Sequence, residues 1–135
     1  DGIRDEKEET ERMVDLFDIK ISTINQSVET LSGGNQQKVM MSKWFAAGCD
    51  ILIIDEPTIG VDVAAKAAIH EQIWKLAKEE GKTILLISSD MEEMCTLARR
   101  ILIFRDFRIS GEIDNIADGQ TPSEDIARRI GQMLV

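Results

Sequence analysis

The apolar positions of this chain fall into short stretches whose period changes along the sequence. From Asp5 to Phe17, the residues Met13, Leu16 and Phe17 share one face at helical spacing. The acidic first turn of that stretch suits the positive end of a helix macrodipole. Ile19 to Thr30 is polar and irregular and reads as a connector. From Asn35 to Ala47, Val39, Met40, Lys43 and Trp44 recur at three- and four-residue intervals, with Gly48 as the stop. Ile51 to Ile54 is an unbroken aliphatic run bounded by Asp50 and Asp55, the pattern of a strand covered on both faces. Val63 to Glu80 carries the clearest helical stripe, Ala65, Ile69, Ile73, Leu76 and Ala77, closed by Gly81.

Thr83 to Ser88 (TILLIS) predicts a second buried strand, after which Ser89 or Asp90 caps a helix running to about Ala98, with Glu92 and Glu93 in capping-box reach. Arg100 to Arg105 and Arg108 to Glu112 predict a hairpin around Asp106-Phe107. Thr121-Pro122-Ser123-Glu124 reads as a capping box with proline at the first helical position, opening a last helix to about Met133. Strands alternating with helices imply parallel βαβ units and therefore an α/β layered sheet. That sheet is short of strands on its N-terminal side.

Composition narrows the picture. At 135 residues with 43% apolar content, the chain suits one domain or a large piece of one. A formal net charge of −9 and a pI near 4.6 argue against binding duplex nucleic acid, which needs a basic face to displace counterions. Arg99-Arg100 and Arg128-Arg129 are too short to change that and read as solvated surface. Cys49 and Cys95 stand far apart, and with a single histidine the chain has no zinc-type ligand cluster; free buried thiols in a reducing cytosol are expected. No apolar run approaches the roughly 18 residues of a membrane span, and residues 1–20 are too acidic for a signal peptide. The chain reads as soluble, yet able to dock on something in a membrane. His70 reads as solvated or structural, while Trp44, Trp74, Met91 and Met94 read as packing residues.

Two short stretches carry chemistry. ILIIDEPT, residues 51–58, sets two carboxylates at the carboxyl end of a strand, where ligands of open α/β sheets bind. An aspartate there can serve magnesium, and the glutamate beside it can orient or deprotonate a water attacking a phosphoryl group. The alternative is a strand ending in a polar turn. LSGGNQQK, residues 31–38, places two side-chain-free residues at a helix N-terminus, where exposed N–H groups and the dipole favour anions; Ser32 adds a hydroxyl. That makes a phosphate cradle or, on the alternative, a flexible loop with a serine cap.

The combination resembles the ATP-binding domain of ABC transporters. LSGGNQQ is followed by a helix, then the strand with DEPT, then IGVD at Ile59–Asp62, then ILLIS. Within that family, LSGGNQQKV, GVDVAAK and ISSDMEEM resemble the second ATPase domain of ribose-, galactose- and xylose-type carbohydrate importers. The resemblance runs from about Glu29 to Glu112. It implies a P-loop NTPase-like core of parallel-sheet layers with helices, plus part of a helical subdomain. It implies a division into residues 1–48, part of the helical subdomain that meets the membrane subunits; 49–113, the catalytic core portion; and 114–135, a helical tail.

By resemblance, Leu31, Ser32, Gly33, Gly34, Asn35 and Gln36 form the signature motif, which contacts ATP held mainly by the opposite domain. Asp55 matches the Walker B aspartate serving Mg2+ with the nucleotide, Glu56 the catalytic glutamate, and Asp62 the D-loop residue coupling the two sites. The implied cofactors are ATP and Mg2+. The implied partners are a second ABC domain in a dimer, transmembrane permease subunits and, indirectly, a periplasmic or extracellular sugar-binding protein, with no nucleic acid. The implied location is peripheral, on the cytoplasmic face of the cell membrane.

Two departures qualify this. No G-x-x-x-x-G-K-[ST] loop occurs, and Gln26, Gln36 and Gln37 do not sit where a Q-loop glutamine belongs, so the chain reads as the C-terminal portion of an ABC domain. The switch-histidine position is Ser89, which offers no imidazole to a γ-phosphate. Two functions follow: part of an ATP-hydrolysing subunit energising sugar import, or a non-catalytic regulatory half that completes the partner's ATP site in trans. A soluble ABC ATPase of DNA repair or ribosomes would show coiled-coil insertions or basic surfaces, and neither is present. On either function the chain alone is expected not to hydrolyse ATP, and sheet surface left bare is expected to favour self-association.

Overall fold

The structure is a computed structural model that describes residues 2–119 and 122–135, with the backbone alone described for Ile3. In chain order the elements are α1 (Gly2–Leu16), a single 3-10 turn (Val28–Thr30), α2 (Gly33–Ala46), β1 (Ile51–Asp55), α3 (Val63–Lys78), β2 (Thr83–Ile87), α4 (Met91–Leu97), β3 (Arg100–Arg105), β4 (Arg108–Asp114) and α5 (Glu124–Leu134). The chain divides into two compact units, Asp1–Leu52 with Pro57–Ile84 and Ile53–Glu56 with Leu85–Val135.

The first unit is helical. Met13 and Phe17 of α1 are buried, and the Phe17 ring meets Phe45 of α2 edge-on at 5.7 Å between centroids. Leu16, expected on the same face, is exposed instead. Ile69, Ile73 and Leu76 of α3 are buried as the stripe predicts, each stabilising by about 1.5–3 kcal/mol through burial. Helix α2 departs from expectation. It buries Gly34, Lys38, Met41 and Ser42, whereas Met40 and Trp44 are exposed, Trp44 at 60%. Trp44 is therefore not a core residue, and Trp74 is half-buried beneath the Lys78 ammonium, 5.1 Å from its ring. Gly48 takes φ +76°, the left-handed geometry that lets the chain leave α2.

Lys38 explains part of that shift. Its buried ammonium donates to the Asp18 carbonyl at 2.9 Å, satisfying a carbonyl exposed where α1 ends in a left-handed turn at Asp18, φ 49°. A polar side chain thus lies on a buried face that the spacing of Val39, Met40, Lys43 and Trp44 does not mark. Lys20, hydrogen-bonded to Asp18, holds that carboxyl below its ordinary range.

Strands β1 and β2 form a two-stranded sheet. Asp50 O accepts from Thr83 N at one end and Ile87 O accepts from Glu56 N at the other, so the strands run in the same direction. Neither is buried on both faces: Ile51 and Ile53 of β1 are 66% and 67% exposed, and Leu85 and Ile87 of β2 are also exposed. The expectation of strands covered on both sides is corrected. Continuous apolar runs record what a strand meets in its complete setting, and here Ile51 and Ile53 of β1 and Leu85 and Ile87 of β2 stand exposed.

The second unit builds its core from Cys95 of α4, Ile101 and Ile103 of β3, Ile113 of β4, and Ile126 and Ile130 of α5. β3 and β4 pair antiparallel with Ile101 opposite Ile113 and a bulge after Ile103. Asp106 and Phe107 form the two-residue turn with φ 50° and 60°, the left-handed pair a tight hairpin demands. Asn115 ties the end of α4 down by donating to the Cys95 and Ala98 carbonyls at 2.7 and 2.9 Å. Burial pushes the Cys95 thiol above its ordinary value, which keeps it protonated and inert. Cys49 is only half-buried.

Helix α5 begins two residues later than predicted. Ser123 is its cap, accepting from Ile126 N, so Pro122 precedes the cap and does not occupy the first helical position; the predicted cap Thr121 lies outside the described residues. At α4 the cap is Asp90, which accepts from Glu93 N at 3.0 Å.

Candidate functional site

Ser32 starts α2 as its N-cap: its Oγ accepts from Asn35 N, and its carbonyl accepts the first helical bond from Gln36 N at 2.9 Å. The N–H groups of Gly33 and Gly34 head the helix without intrahelical acceptors, as the first turn of any helix requires. Ser32 and Gly33 are exposed, Leu31, Asn35 and Gln36 half-buried, and Gly34 buried. The two glycines are not equivalent. A Cβ added at Gly34 would stand 2.8 Å from the Ala65 Cβ of α3, whereas one at Gly33 would have room, with Val61 at 3.8 Å. Gly34 is therefore required for the close approach of α2 to α3, and Gly33 leaves the helix end open.

The polar side chains around this cap are used locally. Asn35 Nδ2 donates to Ser32 Oγ at 3.0 Å, and Asn35 Oδ1 accepts from the Lys20 N–H at 2.9 Å. Gln36 Nε2 turns back to donate to the Leu31 carbonyl at 3.0 Å. In the same unit Asp62 caps α3, its Oδ1 accepting from Ala65 N at 2.8 Å, after Gly60 turns the chain at φ +73°. The residues Ile59–Asp62 thus lead directly into the helix on which Gly34 rests.

In the second unit Asp55 ends β1 as an exposed carboxylate. Glu56 follows in a left-handed conformation, φ 47°, with its N–H donating to Ile87 O at 2.8 Å. Its Oε1 accepts from the Ser89 N–H at 2.8 Å. The structure thus brings together Glu56 and position 89, and it does so through the main chain of Ser89. Nothing in the sequence pattern announced this bond, because any residue but proline at position 89 supplies the donor.

Among the described residues no group of three or more His, Cys, Asp and Glu could hold a metal ion by itself. One exposed carboxylate at a strand tip fits magnesium nonetheless, since that ion keeps several waters and takes its remaining ligands from phosphate. Among the described residues no helix is long and apolar enough to cross a membrane.

Residues 3–59 match the family model described as ABC transporter. The L-arabinose transport ATP-binding protein of Geobacillus stearothermophilus is 51% identical over 105 residues, covering 78% of this chain and 20% of that protein. A ribose import ATP-binding protein of Rhizobium meliloti is 53% identical over 95 residues, 70% of this chain and 19% of its own. The D-allose import ATP-binding protein of Escherichia coli K12 is 41% identical over 114 residues, 84% of this chain and 22% of its own. The chain spans about one fifth of the length of these relatives. Among solved structures, a nucleotide-free ATP-binding cassette from an ABC transporter superposes with a TM-score of 0.76 at 16% identity, covering 93% of this chain and 46% of that one. The dimeric ATP-binding cassette MJ0796 bound to ADP and Pi gives 0.71 at 23% identity over 82% of this chain and 47% of its own. At these identities the structures speak to the fold. With the family match and the sugar-import relatives taken together, the chain is a partial ATP-binding domain of the ABC transporter family.

Proposed function

We propose that this chain is part of the ATP-hydrolysing subunit of a sugar importer, supplying its signature, Walker B and D-loop elements. The observation that carries this is the 41–53% identity to arabinose, ribose and allose import ATP-binding proteins over most of the chain. The local geometry supports it. Ser32 and the N–H groups of Gly33 and Gly34 form the anion-facing end of α2, and Leu31–Gln36 as a whole is assigned to ATP bound by the opposite domain. Asp55 is assigned to magnesium held with the nucleotide, Glu56 to the attacking water, and Asp62 to coupling between sites.

In this assignment Glu56 acts as the base that orients or deprotonates water, and magnesium, when bound, neutralises charge on the phosphates. The Ser89 N–H holds the Glu56 carboxylate at the strand tip. Residues 1–48 belong to the helical subdomain, 49–113 to the catalytic core and 114–135 to a helical tail. An open apolar groove of ≈ 250 Å³, lined by Met13, Ile19, Ile21, Ile24, Val28 and Val39, is offered by the helical subdomain to permease subunits. The domain works against a second ABC domain at the cytoplasmic face of the membrane.

A second reading is favoured by Ser89. With no imidazole at that position, the site of Asp55 and Glu56 is slow or regulatory, and the signature completes the partner's site in trans. Calorimetric titration of Mg-ATP tests the common core of both readings. The chain alone should show no binding, and adding an intact ABC domain should give tighter binding than that domain shows alone. Tight binding by the chain alone would overturn both.

A further inference from the structure

The side chain of Asn35 was assigned with its motif to nucleotide, yet every polar atom it owns is turned inward. Its Oδ1 accepts from the Lys20 N–H at 2.9 Å, and its Nδ2 donates to Ser32 Oγ at 3.0 Å, beside the backbone Asn35 N–H at 3.4 Å on the same oxygen. A hydroxyl has two acceptor sites and one proton to donate. Both acceptor sites of Ser32 are therefore engaged by Asn35, and no acceptor for its proton stands among the described residues. Ser32 is exposed at the positive end of a 14-residue helix. Its hydroxyl can meet a ligand only as a donor.

We propose that Asn35 is a positioning residue that acts through Ser32, fixing the hydroxyl as an outward-facing donor to a phosphate oxygen, while the connector at Lys20 fixes Asn35. In an ordinary capping box the residue at this helix position reaches back to the cap's backbone N–H. Here the shorter asparagine reaches the cap's hydroxyl instead, and its carbonyl is left to anchor on Lys20, which follows the left-handed turn at Asp18. The amide has to keep its present orientation. With donor and acceptor exchanged, Nδ2 would face the Lys20 N–H and Oδ1 would compete for the Ser32 proton. The inference rests on the signature reading above and sharpens it: Ser32 touches the anion, and Asn35 decides which way its proton points.

The test is a double-mutant cycle on the intact ATP-binding protein, assembled with its partner domain, with steady-state ATPase as the readout. Asn35→Asp keeps an acceptor for the Lys20 N–H and replaces the donor facing Ser32 by an acceptor, so the serine proton turns inward. Ser32→Ala removes the hydroxyl. Each single change is expected to lower kcat at least tenfold, and the double variant should be no slower than Ser32→Ala. A charge effect of the new aspartate on phosphate would persist in the alanine background and multiply the loss. Multiplied losses, or an unchanged kcat for Asn35→Asp, overturn the proposal while leaving the signature reading intact. An unchanged kcat for Ser32→Ala overturns the signature reading and the proposal with it. Should Asn35→Asp fail to fold, the same cycle with Asn35→Ala carries the same expectation of non-additivity.

Discussion

Glu56 is held by its main chain as much as by its side chain. A φ of 47° costs a residue with a Cβ about 1–2 kcal/mol, and the bond from its N–H to Ile87 O offsets part of that. The reward is direction, for the carboxylate is turned onto the Ser89 N–H. Because that donor is a backbone amide, position 89 can change its side chain without releasing the glutamate. Ser89→His should therefore keep this bond and add an imidazole, raising the steady-state ATPase of the intact protein roughly tenfold or more if the switch group is all the site lacks. No gain would show that other parts of the site are degenerate and would favour the trans-acting reading. Asp55-Glu56 was legible from a strand ending in two acids. The turn that aims Glu56 was not, since glutamate is not a residue whose type signals positive φ. The same holds for Asn35, whose partner Lys20 contributes a backbone N–H that no side-chain pattern encodes.

Between elements, the contact that decides most is α2 against α3. The sequence explained Gly33-Gly34 by phosphate access alone, and the structure gives Gly34 a second duty as a point of close approach between the two helices. Gly34→Ala should destabilise the chain by roughly 1–3 kcal/mol through overpacking, read as a lowered denaturation midpoint, and Ala65→Gly should restore part of the loss. The same Ala at position 33, where there is room, should cost the fold far less. Helix existence and order were legible because the stripe of α3 and the caps at Ser32 and Asp90 are local signals. The buried face of α2 was not. Lys38 lies there to satisfy a carbonyl of Asp18, 20 residues away in sequence, and such a partner is invisible to periodicity. Phe107 shows the converse, a fully exposed aromatic in a turn position that favours glycine, which the flanking strand patterns located without explaining.

For the whole chain, the largest consequence lies in the sheet. Ile51, Ile53, Leu85 and Ile87 alternate along β1 and β2 and stand exposed, an apolar surface of the kind that associates. Sedimentation should show concentration-dependent self-association of the isolated chain, reduced by the combined change Ile53→Lys and Leu85→Lys. A monomer at all concentrations would refute this. Fold class was readable from these same runs, because β-branched stretches separated by helices leave few architectures. Their exposure was not, because sequence records the setting for which a strand is built and not the share of it present.

The seating of Gly34 on Ala65 also has a geometric meaning. Ala65 lies in the first turn of α3, and its N–H is the one that Asp62 caps. The start of the helix that presents Ser32 packs on that turn at a point where Gly34 places no Cβ between them. Gly34, two residues after Ser32, is thereby set close against the turn that the Asp62 cap begins. The starts of the two helices therefore meet where one of them has no side chain at all.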